Sequence, residues 1–195
     1  MATIRTLKPN VSRSQAVEQF TGGALGFARE FVSGPLRSVA DFYIPFLVFD
    51  VCITNRGEQQ KQIWGIDAVN GSLDPYHFGQ VPGTEDSLTR ETRNCLLPTL
   101  PLHQAEQSLI TKVQRLLFTS GFFRVWNLAI RVTPIPGEIY IPYWAGFRGH
   151  GLSASIAVLD AVRRQPEGAR VRRLLEDWLT AGTCLDAPAA LPANS

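Results

Sequence analysis

Apolar positions in this chain recur with two different periods, and the segments they mark appear in the same order twice. Ala16, Phe20, Ala24, Phe27 and Phe31 follow a helical spacing. Ser12 or Ser14 is placed to cap a helix starting near Gln15, Gly22-Gly23 interrupts it, and Gly34-Pro35 ends it. Residues 1–12 before it are expected to be an extended lead-in. Phe42 to Thr54 is dense in β-branched and aromatic residues, as in a strand buried on both faces. It turns at Asn55-Arg56-Gly57 into a second strand, Gln60 to Val69, and Pro45 points to a sheet edge or bulge.

From Asn70 to about Leu100 the chain is rich in Gly, Pro, Thr, Asp and Ser, which predicts a connector. A second helix follows, with Ala105, Leu109, Val113, Leu116 and Leu117 on one face and an end near Ser120-Gly121. Phe122 to Val132 predicts a strand with Trp126, Leu128, Ile130 and Val132 on one side. Pro134 to Gly137 predicts a turn, and strands Ile139 to Phe147 and Leu152 to Ala161 form a hairpin around Gly149-His150-Gly151. A last helix is predicted from Pro166, with Val171, Leu174, Leu175, Trp178 and Leu179 as its apolar stripe.

Tyr43-Ile44-Pro45-Phe46 matches Tyr140-Ile141-Pro142-Tyr143, and Ile66-Asp67-Ala68-Val69 matches Leu159-Asp160-Ala161-Val162. Pro and Asp are 22 residues apart in the first copy and 18 in the second, a difference the first hairpin absorbs. Gln15-Ala16-Val17-Glu18 has a looser counterpart in Gln104-Ala105-Glu106. The expectation is an α+β protein of two related helix-plus-antiparallel-sheet units fused in tandem, closed by a C-terminal amphipathic helix. The units are residues 1–80 and 101–182, joined by a connector, 81–100, and followed by a mobile tail, 183–195.

The stretch from Tyr43 to Gly71, an aromatic strand, a hairpin and an Asp67-Ala68-Val69-Asn70-Gly71 turn, resembles the sheet portion of PepSY-type domains. The second copy lacks the glycine after Asp160-Ala161-Val162. Because PepSY-type domains are mostly exported binding or inhibitory modules, the resemblance implies an antiparallel sheet and a binding role.

Composition narrows the function by exclusion. The 195 residues are 45% hydrophobic and carry 19 basic and 17 acidic side chains, so no whole-surface attraction to nucleic acid or anionic lipid is implied. Cys52, Cys95 and Cys184 are odd in number and widely spaced, which argues against a disulfide framework or zinc site. No secretory signal is evident, and the longest apolar run, Phe42 to Ile53, contains Asp50 and is too short to span a bilayer. The expected location is the cytoplasm. His77, His103 and His150 show no metal-ligand spacing, no nucleophile elbow surrounds any serine, and no cofactor, metal or catalytic set is assigned.

Three surfaces remain. Tyr140, Tyr143 and Trp144 border Pro142, where a sheet edge is able to accept a partner strand. Arg163, Arg164, Arg170, Arg172 and Arg173 concentrate charge near the last helix, with Arg170 and Arg173 on one face. Asp67 and Asp160 occupy equivalent positions, and a pair of carboxylates brought together splits its pKa values for acid and base work. The leading expectation is a non-enzymatic protein-binding or assembly subunit. The alternatives are a nucleic-acid-binding accessory using the arginine helix and a hydrolase using the two aspartates.

Overall fold

In the computed structural model, residues 1–22, 34–121, 128–149 and 154–185 are described, apart from the side chains of 120, 121 and 182–185. The elements in chain order are β1 (Ala2–Leu7), α1 (Arg13–Thr21), β2 (Leu36–Asn55), β3 (Glu58–Asp67), β4 (Tyr76–Phe78) and β5 (Ser87–Thr92). There follow α2 (Leu102–Gly121), β6 (Ala129–Arg148), β7 (Ser155–Asp160), β8 (Gln165–Pro166) and α3 (Ala169–Leu185). The fold class is α+β, with one mixed eight-stranded sheet ordered β4-β3-β2-β6-β1-β5 and with β7 and β8 branching from β6.

Two 20-residue strands, β2 and β6, run antiparallel as the spine of this sheet. Ile44 lies opposite Ile141, Tyr43 opposite Pro142, and Pro45 opposite Tyr140, so the two similar tetrapeptides cross each other at the centre. Each spine strand turns into a hairpin partner, β3 beside β2 and β7 beside β6. In the first hairpin Arg56 and Gly57 adopt φ 55° and 84°, the left-handed pair that a two-residue type I′ turn requires.

The prolines sit at the sheet centre and not at an edge. Tyr43 N–H donates to Asn94 O at 2.8 Å and Tyr43 O accepts from Leu96 N–H at 3.0 Å, so these groups point away from β6. By alternation Pro45 also points away, and its oxygen accepts from Ala68 N–H at 2.8 Å. Its missing N–H therefore falls where the outer neighbour changes from the 94–96 segment to β3, and no ladder bond is lost. Pro142 repeats this, with its oxygen accepting from Ala161 N–H at 3.1 Å.

Alternation along β2 and β6 gives the spine two apolar faces. Phe42, Ile44, Phe46 and Val48, with Ile139, Ile141, Tyr143 and Ala145, face Tyr76, Phe78 and the α3 residues Val171, Leu174 and Leu175. On the opposite face Phe49, Val51 and Ile53 meet Ala105, Leu109 and Val113 of α2, while Val39, Leu159 and Ala161 meet Ala16 and Phe20 of α1. Each fully buried leucine, isoleucine or phenylalanine here contributes roughly 1.5–3 kcal/mol of transfer free energy, so this layering is what holds the helices on.

Several expectations require correction. The lead-in is strand β1, antiparallel to β5, so the expected connector 81–100 carries a strand of the sheet. Ser12 caps α1 as expected, in a capping box with Gln15. Leu116 is 46% exposed because the α2 stripe turns away from it after Val113. Pro134 to Gly137 is not a turn but a bulge within β6. Val48 pairs with Ile135 and Leu47 with Glu138, leaving Pro136 and Gly137 looped out, with Gly137 at φ 89°. Pro166 does not start the last helix, because Gln165 and Pro166 pair with Asp160 and Leu159 and the helix begins at Ala169. That helix runs to Leu185, so 183–185 are helical and not tail. The expectations for Ala24, Phe27, Phe31, Trp126, His150 and the tail beyond Leu185 lie outside the described residues.

Candidate binding groove

The aromatic residues expected at a strand edge are held inside. Strand β6 is paired with β2 on one side and with β1 and β7 on the other, so the expected edge at Pro142 does not exist. Tyr140 is 6% exposed in a cluster with Ile4, Tyr43 and Cys95, and this burial pushes its phenol up to about 12. Tyr143 is 2% exposed and stacks on Phe42 with ring centroids 5.4 Å apart. The Trp144 indole N–H donates to Val11 O at 2.9 Å, which ties β6 to the segment before α1.

The two aspartates end their strands as backbone acceptors. Asp67 Oδ1 accepts from Asn70 and Gly71 N–H at 3.0 and 2.9 Å, and Oδ2 accepts from Leu73 N–H at 2.8 Å. Asp160 Oδ1 accepts from Val162 and Arg163 N–H at 2.7 and 2.8 Å. Strands β3 and β7 pair with opposite sides of the spine, β3 with β2 and β7 with β6. Both Asp67 oxygens are thereby committed to backbone donors.

The two turns differ in one respect. Asp160 Oδ2 and the Tyr76 hydroxyl, which faces it from β4, are buried outside hydrogen-bond geometry, yet near enough that the contact raises the phenol and lowers the carboxyl. Burial raises the Asp160 carboxyl above the usual carboxylate range against the pull of its two backbone bonds. Glu167 nearby is raised by burial and then by the Asp160 charge, and the Tyr76 phenol is raised by burial. Arg163 lies flat on the Tyr76 ring, its guanidinium carbon 3.4 Å from the centroid, and so brings positive charge next to these acids.

This cluster floors a groove. A cavity of about 340 Å³ is lined by Phe46, Tyr76, Tyr143, Arg163, Glu167 and Val171, among others. A second cavity of about 480 Å³ is lined by Ser72, Pro75, Gln107, Lys112, Arg115 and Leu116, among others. Asp74 and Arg170 line both, and their ion pair forms the partition between them. The Asp74 side chain is 82% exposed and that of Arg170 56%, so the partition is a surface pair of small net worth, about 0–1 kcal/mol at most. Lys112 donates to Leu73 O, and burial lowers its ammonium below the usual lysine range.

The arginines of the last segment are dispersed. Arg163 and Arg170 reach this groove, Arg164 lines a separate cleft with Asn10 and Glu18, and Arg172 and Arg173 are exposed without lining either cavity. Of the pair Arg170 and Arg173, only Arg170 lines the groove. Asp74, Tyr76, Lys112, Arg115 and Glu167 escaped sequence reasoning because they come from three separate segments. The signal available beforehand was the Asp74-Pro75 turn beside Tyr76.

Among the described residues no group of three or more His, Cys, Asp and Glu side chains is placed to hold a metal ion. Among them also, no helix is long and apolar enough to cross a membrane. No protein-family model, no curated protein and no solved structure matches this chain.

Proposed function

We propose that the protein is a non-enzymatic binding subunit that holds an acidic segment of a partner protein in the groove between α2, the 72–75 turn and the start of α3. The observation that carries this reading is the charge balance of the groove. Lys112, Arg115, Arg163 and Arg170 line it against two carboxylates. One of these, Asp74, is already paired with Arg170, which leaves Lys112, Arg115 and Arg163 against Glu167. An incoming carboxylate replaces Asp74 on Arg170 without opening a buried pair, and Leu73, Pro75 and Leu116 offer apolar contact beside it. Nucleic acid fits less well, because the arginines diverge instead of tracking a phosphate backbone.

The fold supports a second part of the reading, an origin by tandem duplication. The Tyr-Ile-Pro tetrapeptides face each other about the Ile44 and Ile141 pair. Thr6 bridges Tyr140 as Cys95 bridges Tyr43. Asn10 N–H donates to Ala161 O at 2.7 Å as Thr99 N–H donates to Ala68 O at 2.8 Å. The units share one sheet with exchanged neighbours, as a fused pair of protomers does.

The test is fluorescence anisotropy with a labelled hexaglutamate peptide, a hexaglutamine peptide and a single-stranded oligonucleotide, at low and physiological salt. Hexaglutamate is expected to bind best, to weaken with salt, and to lose about tenfold in affinity on Arg170→Glu, about 1.4 kcal/mol. Equal binding of the Arg170→Glu variant, or tighter binding of the oligonucleotide, overturns the assignment.

A further inference from the structure

At the far end of the spine the sheet carries a second, polar trough. Strand β2 lies between β3 and β6 there, with Cys52 opposite both Lys61 and Arg131, Asp50 opposite Thr133, and Thr54 opposite Gln59 and Ala129. These residues enclose a cavity of about 590 Å³. Helix α2 packs on the other face, against Phe49, Val51 and Ile53. A cavity of this size on a sheet face falls within the range that small-molecule sites occupy.

Its charges are arranged in rows and, among the described residues, are left unmatched. Among the described residues neither Lys61 nor Arg131 forms an ion pair, and Asp50 Oδ1 is buried without a hydrogen-bond partner. The two cations flank Cys52 on neighbouring strands, about 10 Å apart at the backbone, close enough for their long side chains to converge on one oxyanion above the thiol. Asp50 is two residues further along the same face, about 7 Å away. We propose that this trough binds a small zwitterionic ligand of the amino-acid class, its carboxylate between Lys61 and Arg131 and its ammonium at Asp50.

Cys52 supplies the readout, because its thiol sits where the carboxylate would lie. Iodoacetate carries a carboxylate and iodoacetamide does not. In both reactions the sulfur forms a bond to the methylene carbon, the carbon–iodine bond breaks, iodide leaves and the thiol proton goes to solvent. The ratio of the two rates cancels the ionisation of the thiol itself. Site-resolved peptide mass spectrometry of the full chain, with buried Cys95 as internal control, is expected to give a ratio at Cys52 about tenfold above that of a free cysteine peptide. Lys61→Gln with Arg131→Gln is expected to return it to the peptide value.

In the wild type at least one member of an L-amino-acid panel is expected to slow Cys52 labelling about fivefold, with no protection in Asp50→Asn. Succinate, which has no ammonium, is expected to protect less. A ratio equal to that of the free peptide refutes the cationic site. A raised ratio with no protecting amino acid, or with succinate protecting as well as any of them, refutes the ligand class.

Discussion

Asp67 and Asp160 end equivalent strands, yet replacing each by asparagine is expected to have opposite consequences. Both Asp67 oxygens accept backbone N–H groups, so an amide there sets its NH₂ against a buried N–H whichever way it is turned. A hydrogen bond to a charged acceptor contributes about 1.5–3 kcal/mol, and a buried donor left unpaired adds to the loss. Asp67→Asn is therefore expected to cost about 2–4 kcal/mol. In Asp160→Asn the amide oxygen keeps Val162 and Arg163 N–H, while the NH₂ takes the Oδ2 position and donates to the facing Tyr76 hydroxyl. Removing a buried charge offsets the weaker acceptor, and the net change is expected to stay within about 1 kcal/mol. Urea unfolding at neutral pH reads the difference. With a slope of about 2 kcal/mol/M the Asp67→Asn midpoint falls by about 1–2 M and the Asp160→Asn midpoint by less than about 0.5 M. Equal midpoints for the two variants, or a larger loss in Asp160→Asn, would refute the assignment of one satisfied and one unsatisfied carboxylate.

Further outcomes follow from the same contacts. The raised carboxyls of Asp160 and Glu167 mean that the folded state binds their protons more tightly than the unfolded state, so their contribution declines as pH rises from about 4 through the raised values. Wild type minus the Asp160→Asn, Glu167→Gln double variant should show this decline in denaturation midpoints across pH 4–7. Gly146→Ala puts a methyl group 2.9 Å from the Phe20 ring, and thermal unfolding should report a loss of about 1–3 kcal/mol. Leu175→Ala in α3, at 1% exposure, should cost about 2–5 kcal/mol in the same assay.

The elements that sequence patterns revealed were those whose signal is local. The Ser12 cap, the Arg56-Gly57 hairpin and the helical stripes of α2 and α3 each depend on residues within a few positions of one another. The failures involve partners distant in sequence. Pro134 to Gly137 carries every local mark of a turn, and only its pairing with Leu47 and Val48 makes it a bulge. Pro45 and Pro142 read as edge signals because their tolerance comes from a change of outer neighbour that no local pattern encodes. The same cause put Tyr140 and Tyr143 on a surface when they are core, since distant β1 pairs beside Tyr140 and distant Phe42 of β2 stacks on Tyr143. Arg170 was visible as a cation, but its role in the groove depends on Asp74, 96 residues away.

The most direct test of the proposed binding role is a titration of isotopically labelled protein with hexaglutamate, followed by amide chemical shifts. The expected result is a saturable set of shifts confined to 72–76, 107–116 and 163–171, with the 50–54 and 129–133 segments unmoved. Shifts absent at millimolar peptide, or spread evenly over every exposed arginine including Arg13 and Arg56, would contradict it.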